Sequence, residues 1–435
     1  MGPKIPRPRG TRDLLPEDLP RVRLLEDTAR RVAERAGFGE VRTPLFEDVR
    51  LFARTLGEAS DVVEKEMFAV PRRGEAGGAW AFRPEGTAGA ARAYVEAGLA
   101  QRAPFQKWWY CGPMFRYERP QKGRERQFVQ FGAEVFGSAC PEVDAELADL
   151  VLTFFEELGL SGLELRVNTM GDPHDRRAWG DALRAHFSGR LDGRCSDCRT
   201  RFERNVFRLL DCKVESCVDA NVGAPTLDQY LGAEARAHFE GFLAALAALG
   251  REPVRDPGIV RGLDYYTRTV FEVHDPGLGA RSALCGGGRY DRLVEELGGP
   301  PTPASGFAVG FTPTEAALEA RGLPTAAVLE PYRALQRPEV YVVAITDEDR
   351  SAALALTREL RRAGLRADLD LKGRRPKGQF KEASRRGARL AATLGPEERA
   401  AGEVVLKDLE SGEEVRVPRS TLLDRVRRLL GAPPA

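Results

Sequence analysis

The stretch that most constrains this chain is Gly112–Glu134, GPMFRYERPQKGRERQFVQFGAE, which reads as two strands joined by a basic loop. Side chains alternate along a strand, so Met114, Arg116 and Glu118 share one face going out, and Phe128, Gln130 and Glu134 share one coming back. Val129, Phe131, Ala133 and Val135 form the opposite, apolar face and require a core. The first face leaves an aromatic ring, an arginine, an amide and two carboxylates for water or a ligand to satisfy. The loop, Arg119 to Arg126, carries cations at Arg119, Lys122, Arg124 and Arg126 around a proline and a glycine. Alone it reads as a solvated hairpin tip. Beside a planar guanidinium and a stacking ring, it suits a nucleotide phosphate and then an RNA end.

A chain of 435 residues is expected to hold two or three domains. Its net charge of +1 gives no bulk attraction for nucleic acid, so RNA binding must use local patches. There is no apolar run of about 18 residues, and the opening MGPKIPRPRG lacks the apolar core of a signal peptide. Seven cysteines, an odd number, do not form a disulfide framework; a reducing cytoplasm is the expected compartment, with no membrane partner.

Along the chain, Val22, Leu25, Ala29, Val32 and Ala36 are spaced for a helix ending at Gly37. Glu40–Phe46 (EVRTPLF) alternates as a strand, and Pro44 inside it predicts a sheet edge that a second subunit could cover. Trp80–Thr87 (WAFRPEGT) is a short strand entering a turn, with a helix from about Ala88; alone, RPEGT reads as a capped turn. A helix over 143–158 and a strand over Leu163–Asn168 follow. Residues 172–255 read as a helical insertion holding Cys195-x-x-Cys198 and Cys212-x4-Cys217. The second pair is wider than the usual C-x2-C, so free thiols are the reading taken, with zinc at these four as the alternative. Arg261–Val273 (RGLDYYTRTVFEV) ends in a strand. Ser282–Asp291 (SALCGGGRYD) runs as a strand through three glycines that let a backbone approach a ligand. Residues 305–320 read as strand, turn and helix. After a linker over 321–338, strands and helices alternate as a small α/β unit with a basic loop, KGRRPKGQFK.

FRYERPQKGR resembles motif 2 of the class II aminoacyl-tRNA synthetases in its histidyl-tRNA synthetase form. EVRTPLF is similar to motif 1, and RGLDYYTRTVFE resembles the histidine-specific peptide. The resemblance implies an α+β catalytic domain with an antiparallel sheet over 1–325, interrupted by the insertion at 172–255. It also implies a C-terminal α/β anticodon-binding domain over 338–435. The implied activity is ligation of histidine to histidine tRNA through a histidyl-adenylate, by a homodimer using ATP and Mg²⁺.

By the same resemblance Arg116 holds the ATP α-phosphate and Arg261 bridges carboxylate and phosphate in the transition state, a task suited to a guanidinium that stays charged. Phe128 stacks on adenine with Glu118 near its amino edge. Glu134, Tyr266 and Tyr290 match the imidazole positions, and Glu85, Thr87 and Gln130 those for the ammonium. Arg119, Gln121, Lys122 and Arg124 match residues that approach the tRNA acceptor end. No histidine (His174, His186, His238, His274) falls in a motif, so none is expected as a general base.

In one place the chain departs from the family. Family members carry an arginine three residues after the second glycine of motif 3, and here that residue is Pro313. Arg119, Arg124 and Arg289 are the candidates to supply the cation. Two other readings remain. A regulatory paralogue of histidine biosynthesis, the non-aminoacylating subunit of ATP phosphoribosyltransferase, usually lacks the C-terminal domain. A prolyl or threonyl synthetase would not carry RGLDYYTRTVFE.

Overall fold

The computed structural model describes residues 4–56, 62–71, 79–118, 125–210, 212, 214–259, 265–281 and 283–431. They form two units, one comprising residues up to Leu15 with Arg21–Thr325, the other Pro16–Pro20 with Ala326 onward. The helix expected near the N-terminus spans Leu19–Arg35 and buries Val22, Leu25, Ala29 and Val32.

The described strands of the first unit are, in chain order, β1 (Gly39–Glu40), β2 (Phe46–Asp48), β3 (Ala69–Pro71), β4 (Ala79–Phe82), β5 (Gln106–Phe115), β6 (Gln127–Phe136), β7 (Glu164–Thr169), β8 (Val254–Arg255), β9 (Thr267–His274), β10 (Ala283–Arg289) and β11 (Ala304–Gly310). The main sheet has the order β1-β5-β6-β11-β10-β9-β7-β8. Its six central strands are antiparallel, and the two-residue edge strands β1 and β8 pair parallel. A separate small sheet has the order β2-β4-β3.

The single strand expected over Glu40–Phe46 divides. β1 ends at Glu40, at the predicted sheet edge, and β2 begins at Phe46 in the other sheet. Pro44 lacks a ladder donor and holds Thr43 away from helical geometry. The carbonyl and hydroxyl of Thr43 instead accept hydrogen bonds from Arg83 Nη1 at 3.1 and 3.0 Å.

The hairpin β5–β6 pairs without interruption from Gln106–Phe136 to Phe115–Gln127. Its apolar face is core: Phe131 packs on Phe154 and Phe307 at ring distances of 5.1 and 5.4 Å. Its polar face is not left to water as the alternation alone suggested. β11 pairs along the other side of β6, and Gln130 and Glu134 are both buried.

The helix Pro141–Glu157 packs behind the sheet, and helices Pro173–Phe187, Ser196–Arg204, Glu215–Asp219 and Ala233–Ala248 build the insertion. Trp179, Leu183, Phe187, Val206, Leu209 and Leu227 share a buried cluster there with Cys198, Cys212 and Cys217. In the second unit, β12 (Val340–Ala344), β13 (Ala367–Leu369), β14 (Leu390–Leu394), β15 (Glu403–Asp408) and β16 (Glu414–Pro418) form one sheet in the order β13-β12-β14-β15-β16. The basic loop expected at 372–381 is shorter than predicted. Pro376 starts a helix, Pro376–Arg385, where a missing N–H costs nothing, and Gln379 is buried with its amide bonded to both backbone groups of Ala344.

Candidate active site

The site is built around one carboxylate. Glu134 on β6 is completely buried and accepts hydrogen bonds from Thr87 Oγ1 at 2.7 Å, from the Tyr110 hydroxyl at 3.0 Å, and from the Tyr290 hydroxyl. Burial pushes its carboxyl up to about 8, against the three hydroxyls, which favour the charged form; the neighbouring Glu85 adds to the rise. Burial also keeps the Tyr110 and Tyr290 phenols protonated, so both remain donors.

Glycines make this arrangement possible. A side chain at Gly306, which faces Glu134 across β6–β11, would collide with its carboxylate. The Tyr110 ring occupies the space beside Gly86 and Gly132. Tyr110 was not anticipated from the sequence; the signal was its place on the same strand pair, directly opposite Gly132.

Glu85 is buried and sits at the start of the helix Thr87–Glu96. Its carboxylate accepts from the backbone N–H of Thr87 at 2.6 Å and of Ala88 at 2.9 Å. The capped-turn reading of RPEGT is therefore correct, since an anion belongs at a helix N-terminus. Burial nevertheless raises its carboxyl above the usual range. Gln130 Oε1 accepts from the Gly86 N–H at 3.2 Å. Glu85, Thr87, Gln130, Tyr266 and Tyr290 line one cleft of about 360 Å³. Arg116, Tyr265, Cys285 and Gly286 line it as well.

Arg116 lies just past β5, its Nε bonded to the Pro84 carbonyl at 2.9 Å and its guanidinium 5.5 Å from the Phe128 ring centre. Glu118 is half-buried, and its carbonyl accepts from Arg126 Nε. The three-glycine run on β10 serves two ends. Gly287 leaves room for the Phe271 ring and Gly288 for the Tyr266 ring, while Gly286 faces the cleft. Of the three glycines expected to admit a ligand, Gly286 is the one that lines the cleft.

The tyrosine pair is turned inward by an irregularity at the start of β9. Arg268 has φ of +41°, unusual for a residue with a side chain, and the β9–β10 register shifts beside it. Asp172 holds its guanidinium at 2.8 and 3.1 Å. Tyr265 and Tyr290 then meet edge to face at 5.6 Å.

Arg261, Arg119, Gln121, Lys122 and Arg124 lie outside the described residues. Arg289 does not belong in the cleft. It is fully buried, bonded to Asp144 at 2.8 and 3.2 Å, to Asp291, and to the carbonyls of Ser138 and Cys140. It therefore cannot replace the missing motif 3 arginine. Pro313 sits in the first turn of the helix Phe311–Ala320. Nearby, Arg12 pairs with Glu315 at 2.6 Å and lies 3.5 Å from Glu125, which accepts from Thr312.

Six central antiparallel strands holding an arginine–phenylalanine pair, a strand that runs directly into a helix, and a polar cleft define a class II aminoacyl-tRNA synthetase catalytic domain. Residues 10–171 and 213–313 match the family model for histidyl-tRNA synthetase, and residues 339–429 match the anticodon binding domain. The chain is 47% identical over 423 residues to the histidine–tRNA ligase of Anaeromyxobacter dehalogenans, covering 97% of this chain and 99% of that protein. It is 44% identical to the histidine–tRNA ligase of Geobacillus kaustophilus, covering 98% of each. The crystal structure of apo Staphylococcus aureus histidyl-tRNA synthetase is similar with a TM-score of 0.80 at 34% identity, covering 98% of this chain and 100% of that one. The chain belongs to the histidyl-tRNA synthetase family.

Proposed function

We propose that this protein activates histidine with ATP and transfers the histidyl group to the 3′ end of histidine tRNA. The observation that carries the choice of amino acid is the buried Glu134. A desolvated carboxyl with pKa about 8, held by three hydroxyls, is poised to share a proton with an imidazole, whose own pKa is near 6.5. Tyr266 and Tyr290 shape that pocket. Glu85, Thr87 and Gln130 supply acceptors for the ammonium, which needs three.

Adenylate formation brings two anions together, so cations matter more than bases. Arg116 beside Phe128 is the ATP end of the cleft, with Glu118 toward the adenine. Arg261 bridges carboxylate and α-phosphate. Mg²⁺ on the phosphates would complete the charge balance. Arg119, Gln121, Lys122 and Arg124 then meet the acceptor end of the tRNA, and the C-terminal unit reads its anticodon.

We read the working form as a homodimer in the cytoplasm. Leu45, Phe46, Val70 and Trp80 are 43%, 48%, 42% and 39% exposed, and they lie on or beside the small sheet, with Phe46 and Trp80 in ring contact at 5.3 Å. Such an apolar group is out of place on a solvated face and fits a two-fold contact. No described helix is long and apolar enough to cross a membrane. The regulatory-paralogue reading is disfavoured by the full-length match to ligases and by the C-terminal domain match.

ATP–pyrophosphate exchange with each of the twenty amino acids tests the proposal: exchange confined to histidine is expected, and exchange with another amino acid, or with none, would overturn it. Arg261→Ala should abolish exchange, by about 10²–10³ or more in turnover, while histidine still binds. An equal loss of histidine affinity would give Arg261 a binding role instead.

A further inference from the structure

The helical insertion brings four cysteines together that the amino-acid and ATP chemistry leaves unused. Cys195 precedes the helix Ser196–Arg204, Cys198 lies in its first turn, Cys212 follows a short 3-10 turn, and Cys217 sits in the helix Glu215–Asp219. Their Sγ atoms all lie within 4.8 Å of one another, and Cys195 Sγ and Cys212 Sγ are 3.9 Å apart. A zinc ion bound tetrahedrally by thiolates at ~2.3 Å requires sulfurs ~3.8 Å apart, so this spacing suits one ion at the centre. It is too close for the thiolates of a multi-iron cluster and too long for disulfide bonds, and all four cysteines are free.

We propose that Cys195, Cys198, Cys212 and Cys217 bind a structural zinc ion that closes the core of the insertion.

The surroundings are those of a metal centre. The Cys195 N–H donates to Cys217 Sγ at 3.2 Å, a bond that favours the thiolate. The Cys198 N–H also points to the Cys195 sulfur. The three segments carrying the ligands are tied by groups that are not themselves ligands. Arg194, buried beside Phe187, donates to the Ala220 carbonyl at 3.0 Å and to Asn221 Oδ1 at 2.8 Å. Asn221 Nδ2 in turn donates to the Leu209 carbonyl at 3.1 Å. Cys198, Cys212 and Cys217 are buried among Trp179, Phe187, Val206 and Leu209, where four unligated thiols would give this small helical unit little cohesion.

Protein sulfurs fill all four positions, so the ion has no open site for substrate, and its role is to hold the fold. Three of the cysteines lie in 172–212, between the two stretches that match the family model, and Cys217 lies just inside the second. The insertion also reaches the active site. It leaves β7 at Gly171, whose carbonyl accepts from Arg268 N at 3.0 Å, two residues beyond Tyr266.

Elemental analysis of the untagged full-length protein, purified without chelator, tests this directly. One zinc per chain is expected, released in step with thiol modification by a mercurial. Cys198→Ser should lose the metal, while Cys140→Ser, at an exposed cysteine away from the cluster, should keep it. Zinc-free protein, whether with seven titratable thiols after unfolding or with disulfides by mass, would overturn the proposal. So would iron in zinc's place. The wild-type measurement requires no variant to fold. Cobalt exchange giving thiolate-to-metal absorption in the unmutated chain would support the same four-sulfur site independently.

Discussion

At the residue scale, Glu134 is the position with the most to lose. In the empty site its carboxyl, raised by burial to about 8, still holds a proton at neutral pH. The histidine imidazole, with an ordinary pKa near 6.5, is then mostly neutral. The bound pair needs one proton between carboxyl and ring. Above pH about 8 both partners start deprotonated and the complex must take up a proton, so affinity should fall, approaching tenfold per pH unit. Below about 6.5 both are protonated and one proton must leave, so affinity falls again. Calorimetry of histidine binding from pH 6 to 9 should show a plateau between those limits. Glu134→Gln should weaken binding by roughly 1.5–3 kcal/mol and flatten the alkaline arm, because an amide does not titrate. An alkaline arm identical in the variant would assign it to the ligand's ammonium.

Pro313 offers a second residue-scale test. Arg289 is committed to the core, but Arg12 stands at the same helix turn, and the hairpin arginines remain candidates. We therefore expect Pro313→Arg to lower the ATP KM by less than about tenfold; a larger gain would mean that the site lacks a cation.

At the element scale, the site depends on how β10 is fixed to the helix behind it. Arg289 on β10, Asp144 on the helix Pro141–Glu157 and His238 on the helix Ala233–Ala248 form one buried group, with His238 Nε2 2.8 Å from Asp144. Burial alone would raise the Asp144 carboxyl, yet Arg289 and His238 hold it below the usual range. Breaking a buried pair strands a charge, so Asp144→Ala should cost about 3–5 kcal/mol in urea unfolding. A loss below ~1 kcal/mol would mean that the carbonyls of Ser138 and Cys140 suffice for Arg289. Tyr290 follows Arg289 directly, so the same variant should also weaken histidine binding.

At the scale of the whole molecule, the apolar group on the small sheet should decide assembly. Trp80→Glu places a charge on that face and should shift sedimentation at micromolar concentration from dimer to monomer, with thermal stability of the monomer little changed. A wild-type monomer, or a Trp80→Glu dimer of full strength, would rule this face out. A strand that ends at Glu40 and another that starts at Phe46 give this region two separate surfaces, the edge of the main sheet and the face of the small one.

Local alternation, helix spacing and turn chemistry act over a few residues, so the sequence alone determined the hairpin, the strand and the helix within 305–320, the insertion's helices and the C-terminal alternation of strands and helices; the turn expected within 305–320 is absent, the helix starting at Phe311 directly after the strand. Glu85, Thr87, Gln130, Glu134, Tyr266 and Tyr290 were singled out by resemblance to family strings, and folding brings all but Glu134 to the lining of one cleft. Tertiary structure decided what those strings could not hold. Register across β6 and β11 set Gly306 against Glu134 and buried a face that alternation left open. Tyr110 entered the site through a cross-strand partner, and Arg289 left the list of free cations through contacts more than a hundred residues away. Four cysteines at uneven spacing became one cluster only when three helical segments folded together. Spacing along a chain measures contour length, whereas burial and ligation depend on distance in space, which packing alone sets.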